Sequence, residues 1–283
     1  MTTIEKFNND GYLIVKSVIE HDTIDKIICE IYENHPENKD SNRISDAWKH
    51  YDTIGYLAFN KKIMNIVSYL YNNMQPIPFQ TLNFYFGTEQ KIHSDQIHFC
   101  SEPINLMCGV WLALEDISMD SGPLIYYPGS HKLPFYTMQQ LNIEPGNYSE
   151  YENKIGKKFS KFGFLPQYGT IKKGDIIIWH ANLIHGGSKR NNINLTRKSI
   201  VIHYFFENCK YWTPVISEPN NRIYRNPSDF VDKKFNVETT DINNYMSNAE
   251  KYKNKYPDLE HLTLQEAIEH YYKYGIGENR IFY

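Results

Sequence analysis

Apolar positions in the N-terminal part of the chain recur mainly at helical spacing. Ile24, Ile27, Ile28 and Ile31 lie three or four apart within Ile19–Asn34, where His21-Asp22-Thr23 offers a capping residue. Ile63, Ile66, Val67 and Leu70 repeat the pattern within Asn60–Tyr71. Ahead of these, Phe7–Lys16 reads as a turn at Asp10-Gly11 followed by a short apolar strand, and Asn38–Tyr51 reads as a polar loop. From Ile77 the pattern changes to short alternating or continuous apolar runs. These are Thr81–Phe86, Lys91–Phe99, Met107–Glu115, Gly122–Tyr127, Gly174–Trp179 and Arg197–Phe206. Such strands, parted by turn residues, predict a mainly β fold, an antiparallel sandwich or jelly roll.

Two stretches depart from this pattern. Ser130–Tyr168 is a long Tyr- and Lys-rich insertion, read either as a lid or binding loop or as a solvated excursion. After polar Glu207–Thr240, which wraps the domain or links it to the tail, the last segment returns to helical spacing. Tyr256-Pro257-Asp258-Leu259 punctuates two helical stretches there, and Ala267, Ile268, Tyr271 and Tyr272 form an apolar stripe before Gly275. The chain therefore divides into residues 1–240, a jelly-roll domain with N-terminal helices, and residues 241–283, a small helical module.

Composition narrows the function classes. At 283 residues the chain can bury a substantial core, and 41% hydrophobic with 22% charged residues is ordinary for a globular protein. A net charge of -3 gives no support to nucleic-acid partners or to electrostatic attachment to membranes. No apolar run reaches the length of a membrane span, and Met1–Asp10 lacks a signal-like apolar core. Cys29, Cys100, Cys108 and Cys209 have no paired metal-type spacing and read as reduced thiols, Cys100 and Cys108 in the core. The expectation is a cytoplasmic protein acting on a small molecule.

The chemistry concentrates in three places. In Lys91–Phe99, His93-Ser94-Asp95 on a strand would aim an imidazole and a carboxylate to one side. With a second histidine they make the two-His-one-carboxylate set that leaves three positions open on an octahedral ion, as non-haem Fe(II) oxygenases require. Downstream, Gly174-Asp175 opens a strand ending at His180, and His185 stands before Gly186-Gly187. Either histidine can complete the set. His180 has the alternative of a core hydrogen bond, whereas the glycines beside His185 permit close approach of backbone or ligand. Finally, Arg197 and Ser199 share one face of the last strand, where a guanidinium can grip a carboxylate with two parallel hydrogen bonds. That is what holding the remote carboxylate of 2-oxoglutarate demands.

Taken together, these residues resemble the phytanoyl-CoA dioxygenase family of Fe(II)- and 2-oxoglutarate-dependent oxygenases. The resemblance runs from Phe7 to Phe206, through the Phe7…Gly11-Tyr12 opening, His93-Ser94-Asp95, Trp111-Leu112-Ala113-Leu114-Glu115-Asp116, Gly122-Pro123-Leu124, Pro128-Gly129-Ser130-His131, Gly174-Asp175, His185 and Arg197. It implies iron on His93, Asp95 and His185, 2-oxoglutarate on Arg197, and Trp111 near that pocket. It also implies a double-stranded β-helix. Two positions depart from the family pattern. Gly187 stands where a serine often helps to hold 2-oxoglutarate, leaving Ser188 or Ser199 to substitute, and Ser94 stands where glutamine is frequent. Asp95 argues against an open halide position of the halogenase type. The tail resembles a short module, Tyr256-Pro257-Asp258, Ala267, His270-Tyr271, Gly275 and Glu278-Asn279-Arg280, found in polysaccharide-related proteins; it nudges the substrate toward sugars.

The reading is a dioxygenase that uses Fe(II), 2-oxoglutarate and O₂ to hydroxylate an unactivated C–H bond of a small molecule. Gln96, His98 and His203 are candidate substrate contacts, His203 also as a pocket residue. The C-terminal module would pack on the jelly roll, on a second copy or on another protein. Two rivals remain: a cupin-like metal isomerase or hydrolase, which has no need of Arg197, and a non-catalytic binding module.

Overall fold

The computed structural model describes residues 1–227 and 242–282. The chain begins with helix α1 (Thr3–Asp10), which the sequence reading missed; Thr2 and Glu5 close it with a reciprocal capping box. Gly11, at φ 77°, ends α1 in the left-handed conformation that glycine adopts without strain and turns the chain into strand β1 (Tyr12–Val15). Helices α2 (His21–Ile28), α3 (Asp52–Ala58) and α4 (Lys61–Leu70) follow. Glu20 is the N-cap of α2 and makes no side-chain capping bond, so the expected cap at residues 21–23 is absent; one π-turn (Cys29–Glu33) extends the helix. The expected loop at residues 38–51 holds a two-residue strand, β2 (Ile44–Ser45), between short 3₁₀ turns.

The strands of the jelly roll are β3 (Pro76–Phe84), β4 (Cys100–Glu102), β5 (Cys108–Ala113) and β6 (Leu124–Tyr126), then, after helix α5 (Tyr148–Phe159), β7 (Gln167–Tyr168), β8 (Ile176–His180), β9 (His185–Gly187), β10 (Ser199–Phe206), β11 (Lys210–Trp212) and β12 (Tyr224–Arg225). They form a six-stranded sheet ordered β1-β8-β5-β10-β3-β2 and two three-stranded sheets, β12-β11-β4 and β7-β6-β9. All their pairings are antiparallel. Helix α6 (Ile242–Lys255) and helix α7 (Leu264–His270), the latter extended by a π-turn, close the chain.

Alternation on the central strands explains why their sequences read as continuous apolar runs. Ile176, Ile178, Val110, Leu112, Ile200, Ile202 and Tyr204 face the helices, whereas Ile177, Trp179, Trp111 and Val201 face the inside of the jelly roll. Both faces are buried, so neither tolerates polar residues except where the interior does chemistry. The cysteines are unbonded, and Cys100 and Cys108 lie buried as expected. No helix among the described residues is long and apolar enough to cross a membrane.

Candidate metal centre and its cavity

The stretch expected to be one strand, Lys91–Phe99, is not regular. His93 forms an isolated antiparallel bridge with His185, closed by His93 N–H to His185 O (2.9 Å) and His185 N–H to His93 O (3.0 Å). At Asp95 the chain enters a 3₁₀ turn, Asp95–Ile97, whose N-cap is Ser94. Ser94 Oγ donates toward Ala181 O (3.1 Å) and Asn182 Oδ1 (2.9 Å), tying the turn to the segment that carries His185. The glycines after His185 are needed because the chain before His93 crosses over them. A Cβ on Gly186 would lie 2.7 Å from Gln90 O, and one on Gly187 2.8 Å from Gln90 N.

His93, Asp95 and His185 are all buried, and one ligand atom from each lies within 4.8 Å of the others. Asp95 Oδ1 is 3.6 Å from His93 Nε2 and 3.7 Å from His185 Nε2. In both histidines Nδ1 is occupied by a backbone carbonyl two residues back, Lys91 O (2.9 Å) and Leu183 O (2.9 Å). A carbonyl only accepts, so each Nδ1 carries a proton and each Nε2 is the atom turned to the centre, the tautomer a metal requires. Burial holds His185 down at about 4, keeping that lone pair free at neutral pH. Burial also works against the anion of Asp95, but His185, His203 and His93 outweigh it and hold the carboxyl well below its ordinary range. Against the same desolvation, the hydrogen bond and charge of Asp95 raise His93 above its ordinary value. The donor set therefore fits a divalent ion.

A cavity of about 280 Å³ opens onto this centre. One side is lined by Leu82, Phe84, Trp111, Leu124 and Val201 around Arg197. Arg197 is 3% exposed, its Nε has no hydrogen-bond partner, and it forms no ion pair among the described residues. Its guanidinium lies 5.2 Å from the Phe84 ring and 5.6 Å from the Trp111 ring. Burial lowers its pKa to about 10, which leaves it cationic at neutral pH. A buried, charged and uncompensated guanidinium facing a cavity is costly unless an anion arrives.

The other predicted residues divide. His98 and His203 line the cavity; the 3₁₀ turn supplies the break in the strand that brings His98 round. Burial pulls His98 down to about 4. Gln96 is 1% exposed, points its amide nitrogen at Cys100 Sγ (3.8 Å) and is not among the lining residues. Ser188 Oγ donates to Pro123 O (2.7 Å), Ser199 Oγ to Arg197 O (3.3 Å), and neither lines the cavity. His180 accepts the Asn182 N–H at Nδ1 (3.1 Å) and also stays outside it. Sequence reasoning missed Gln90, whose Nε2 lies 3.3 Å from His93 Nε2, and Thr88, Arg43 and Arg225 at the wall. It also missed Trp179, although an indole in a run of isoleucines was a visible signal.

The family model described as phytanoyl-CoA dioxygenase (PhyH) matches residues 7–198. The peroxisomal phytanoyl-CoA dioxygenase of Rattus norvegicus is 23% identical over 265 residues, covering 82% of this chain and 75% of that protein. In the bovine, human and mouse counterparts the matched region is 34 to 41% of their length. Among solved structures, the epimerase SnoN in complex with Fe3+, alpha ketoglutarate and nogalamycin RO is 18% identical with a TM-score of 0.58, over 79% of this chain and 94% of that one. EctD from S. alaskensis with 2-oxoglutarate and 5-hydroxyectoine is 18% identical with a TM-score of 0.54, over 76% of this chain and 79% of that one. These likenesses establish the jelly-roll fold.

Proposed function

The chain belongs to the phytanoyl-CoA dioxygenase family and is by that membership a 2-oxoglutarate-dependent dioxygenase; from this premise we propose that it hydroxylates an unactivated C–H bond of a small polar metabolite, sugar-like or glycan-related. With iron and 2-oxoglutarate bound, such a site couples oxidative decarboxylation of the keto acid to oxygen insertion, releasing succinate and CO₂. His93 and His185 present their Nε2 atoms and Asp95 its negative charge to the ion. Arg197 takes the remote carboxylate of the keto acid, oriented by the Phe84 and Trp111 rings. Leu82, Leu124 and Val201 keep that end dry, so the pairing is strengthened by low polarity.

The observation that carries this reading is the coexistence, in one cavity, of a buried His-Asp-His set and a buried arginine without an anion. The substrate class rests on Thr88, Gln90, His98, Arg43 and Arg225, cavity-lining residues that carry hydrogen-bonding groups. The resemblance of the tail to a polysaccharide-associated module favours the same class. In this reading residues 1–240 are the oxygenase and 241–283 an accessory module.

Anaerobic titration of the Fe(II)-loaded protein with 2-oxoglutarate tests it. A visible charge-transfer band that Arg197→Ala loses at the same concentration, followed by succinate on admitting O₂, is the expected result. Bound iron with neither band nor succinate would remove the oxygenase reading and leave a metal isomerase or a binding module.

A further inference from the structure

The two oxygens of Asp95 have different surroundings. Oδ1 faces the two imidazoles. Oδ2 accepts a hydrogen bond from the Trp179 indole N–H at 2.7 Å and lies 3.5 Å from His203 Nε2. Trp179 and His203 stand on β8 and β10, strands separated by β5, and the β5 residue facing both is Gly109. A Cβ on Gly109 would sit 2.3 Å from the indole carbons and 2.8 Å from Nε1, so the ring occupies the space a side chain would fill. The row continues to Gln80 on β3, opposite His203, with Gln80 Oε1 2.9 Å from His203 Nδ1. Trp179 and His203 are 2% and 4% exposed, so no water competes freely for these contacts.

We propose that Trp179, through its N–H to Oδ2, is the positioning residue that makes Asp95 a one-oxygen ligand, its ring seated by Gly109 with His203 and Gln80 packed in the same row. The inference rests on the reading of Asp95 as a metal ligand. A carboxylate free to rotate can grip an ion with both oxygens. It would then occupy a position that the keto acid or O₂ needs. Anchoring Oδ2 to the sheet leaves Oδ1 alone directed at the centre, and partners of this kind are worth 10–100-fold in metal affinity. The rigidity of the anchor comes from three adjacent ladder positions rather than from a loop, so it does not depend on substrate.

The test uses Co(II) as probe on the full chain, followed by equilibrium dialysis and the visible ligand-field spectrum, with and without 2-oxoglutarate. Trp179→Phe keeps an aromatic ring at the site while removing the N–H and part of the indole volume. It is expected to retain the wild-type far-ultraviolet circular dichroism, bind Co(II) 10–100-fold more weakly, and show a changed spectrum that responds less to 2-oxoglutarate. Gly109→Ala, which crowds the indole from the neighbouring strand, is expected to change the spectrum in the same direction, which keeps the test decisive if the tryptophan variant does not fold. Folded variants with Co(II) affinity within twofold of wild type and an unchanged spectrum would overturn the proposal while leaving the metal assignment standing. Failure of the wild type itself to bind Co(II) would instead overturn the metal assignment, and the proposal with it.

Discussion

Arg197 and Gly187 show how much depends on single positions. Arg197 is buried between two aromatic rings with no anion beside it, and its planar fork is matched to a carboxylate. Arg197→Lys keeps the charge but loses the paired hydrogen bonds, so the dissociation constant for 2-oxoglutarate should rise about tenfold or more. Titration of the charge-transfer band measures it, and an unchanged constant would show that the arginine does not hold the cosubstrate. Gly187 has no room for a side chain such as serine, because backbone nitrogens of Glu89 and Gln90 would lie 2.9 and 2.8 Å from its Cβ. Gly187→Ser should therefore cost about 1–3 kcal/mol through overpacking. It should not improve cosubstrate binding; a urea midpoint equal to wild type would refute this. Thr88 and Gln90, from the segment that crowds Gly187, line the cavity there.

Among the elements, the insertion packs against the turn that carries Asp95. Helix α5 packs Tyr151 and Ile155 against Met138, Ile143 and Ile97, the last residue belonging to the turn that carries Asp95. Tyr148 lies 4.7 Å from His98 between ring centroids, and Lys91 Nζ donates to Asn153 Oδ1 at 3.1 Å. The insertion thus packs on the turn that carries Asp95 and touches His98, a cavity-lining residue. At the end of β8, His180 carries a different consequence. Burial depresses its pKa from 6.5 to about 3, and its Nδ1 accepts a backbone N–H, which requires the neutral ring. The unfolded chain takes up that proton near pH 6.5 while the folded one resists, so stability is full above 6.5 and declines as the pH falls below it. His180→Asn should flatten this decline by about 1–2 kcal/mol between pH 7 and pH 5. Urea midpoints at the two pH values, for both proteins, decide it; parallel declines would count against the assignment.

Across the whole molecule, one hydrophobic cluster joins the back of the large sheet, the N-terminal helices and the C-terminal helices. Ala249, Tyr252, Leu259, Ala267, Tyr271 and Phe282 belong to it together with Phe7, Leu70 and Ile178. The motif residues of the tail serve its own packing. Arg280 pairs with both Asp258 oxygens (3.0 and 2.8 Å) and lies 4.8 Å from the Tyr256 ring centroid, and Tyr252 Oη meets His270 Nδ1 at 3.0 Å. Thr3 Oγ1 donates to Lys273 O (3.2 Å), which ties the tail to α1. Tyr271→Ala should cost about 3 kcal/mol and lower a single thermal transition of the full chain. A second, separate transition that alone shifts would mean that the tail folds as an independent unit.

Hydrophobic periodicity was sufficient for α2, α4 and the central strands, because those elements bury whole faces and burial leaves a repeating trace. It was blind to α1 and α3, the first apolar only at Ile4 and Phe7, the second only seven residues long. The residue types and order of His93, Asp95, His185 and Arg197 were legible because chelation and carboxylate binding need those side chains whatever the fold. The strand expected at Lys91–Phe99 proved to be a bridge and a turn; convergence of His93 and Asp95 comes from backbone pairing with His185, not from strand alternation. What only the tertiary structure decided is which polar groups share the centre. Trp179, Gly109, His203 and Gln80 are distant in the chain and adjacent solely through strand register, a relation that no local pattern of one sequence encodes.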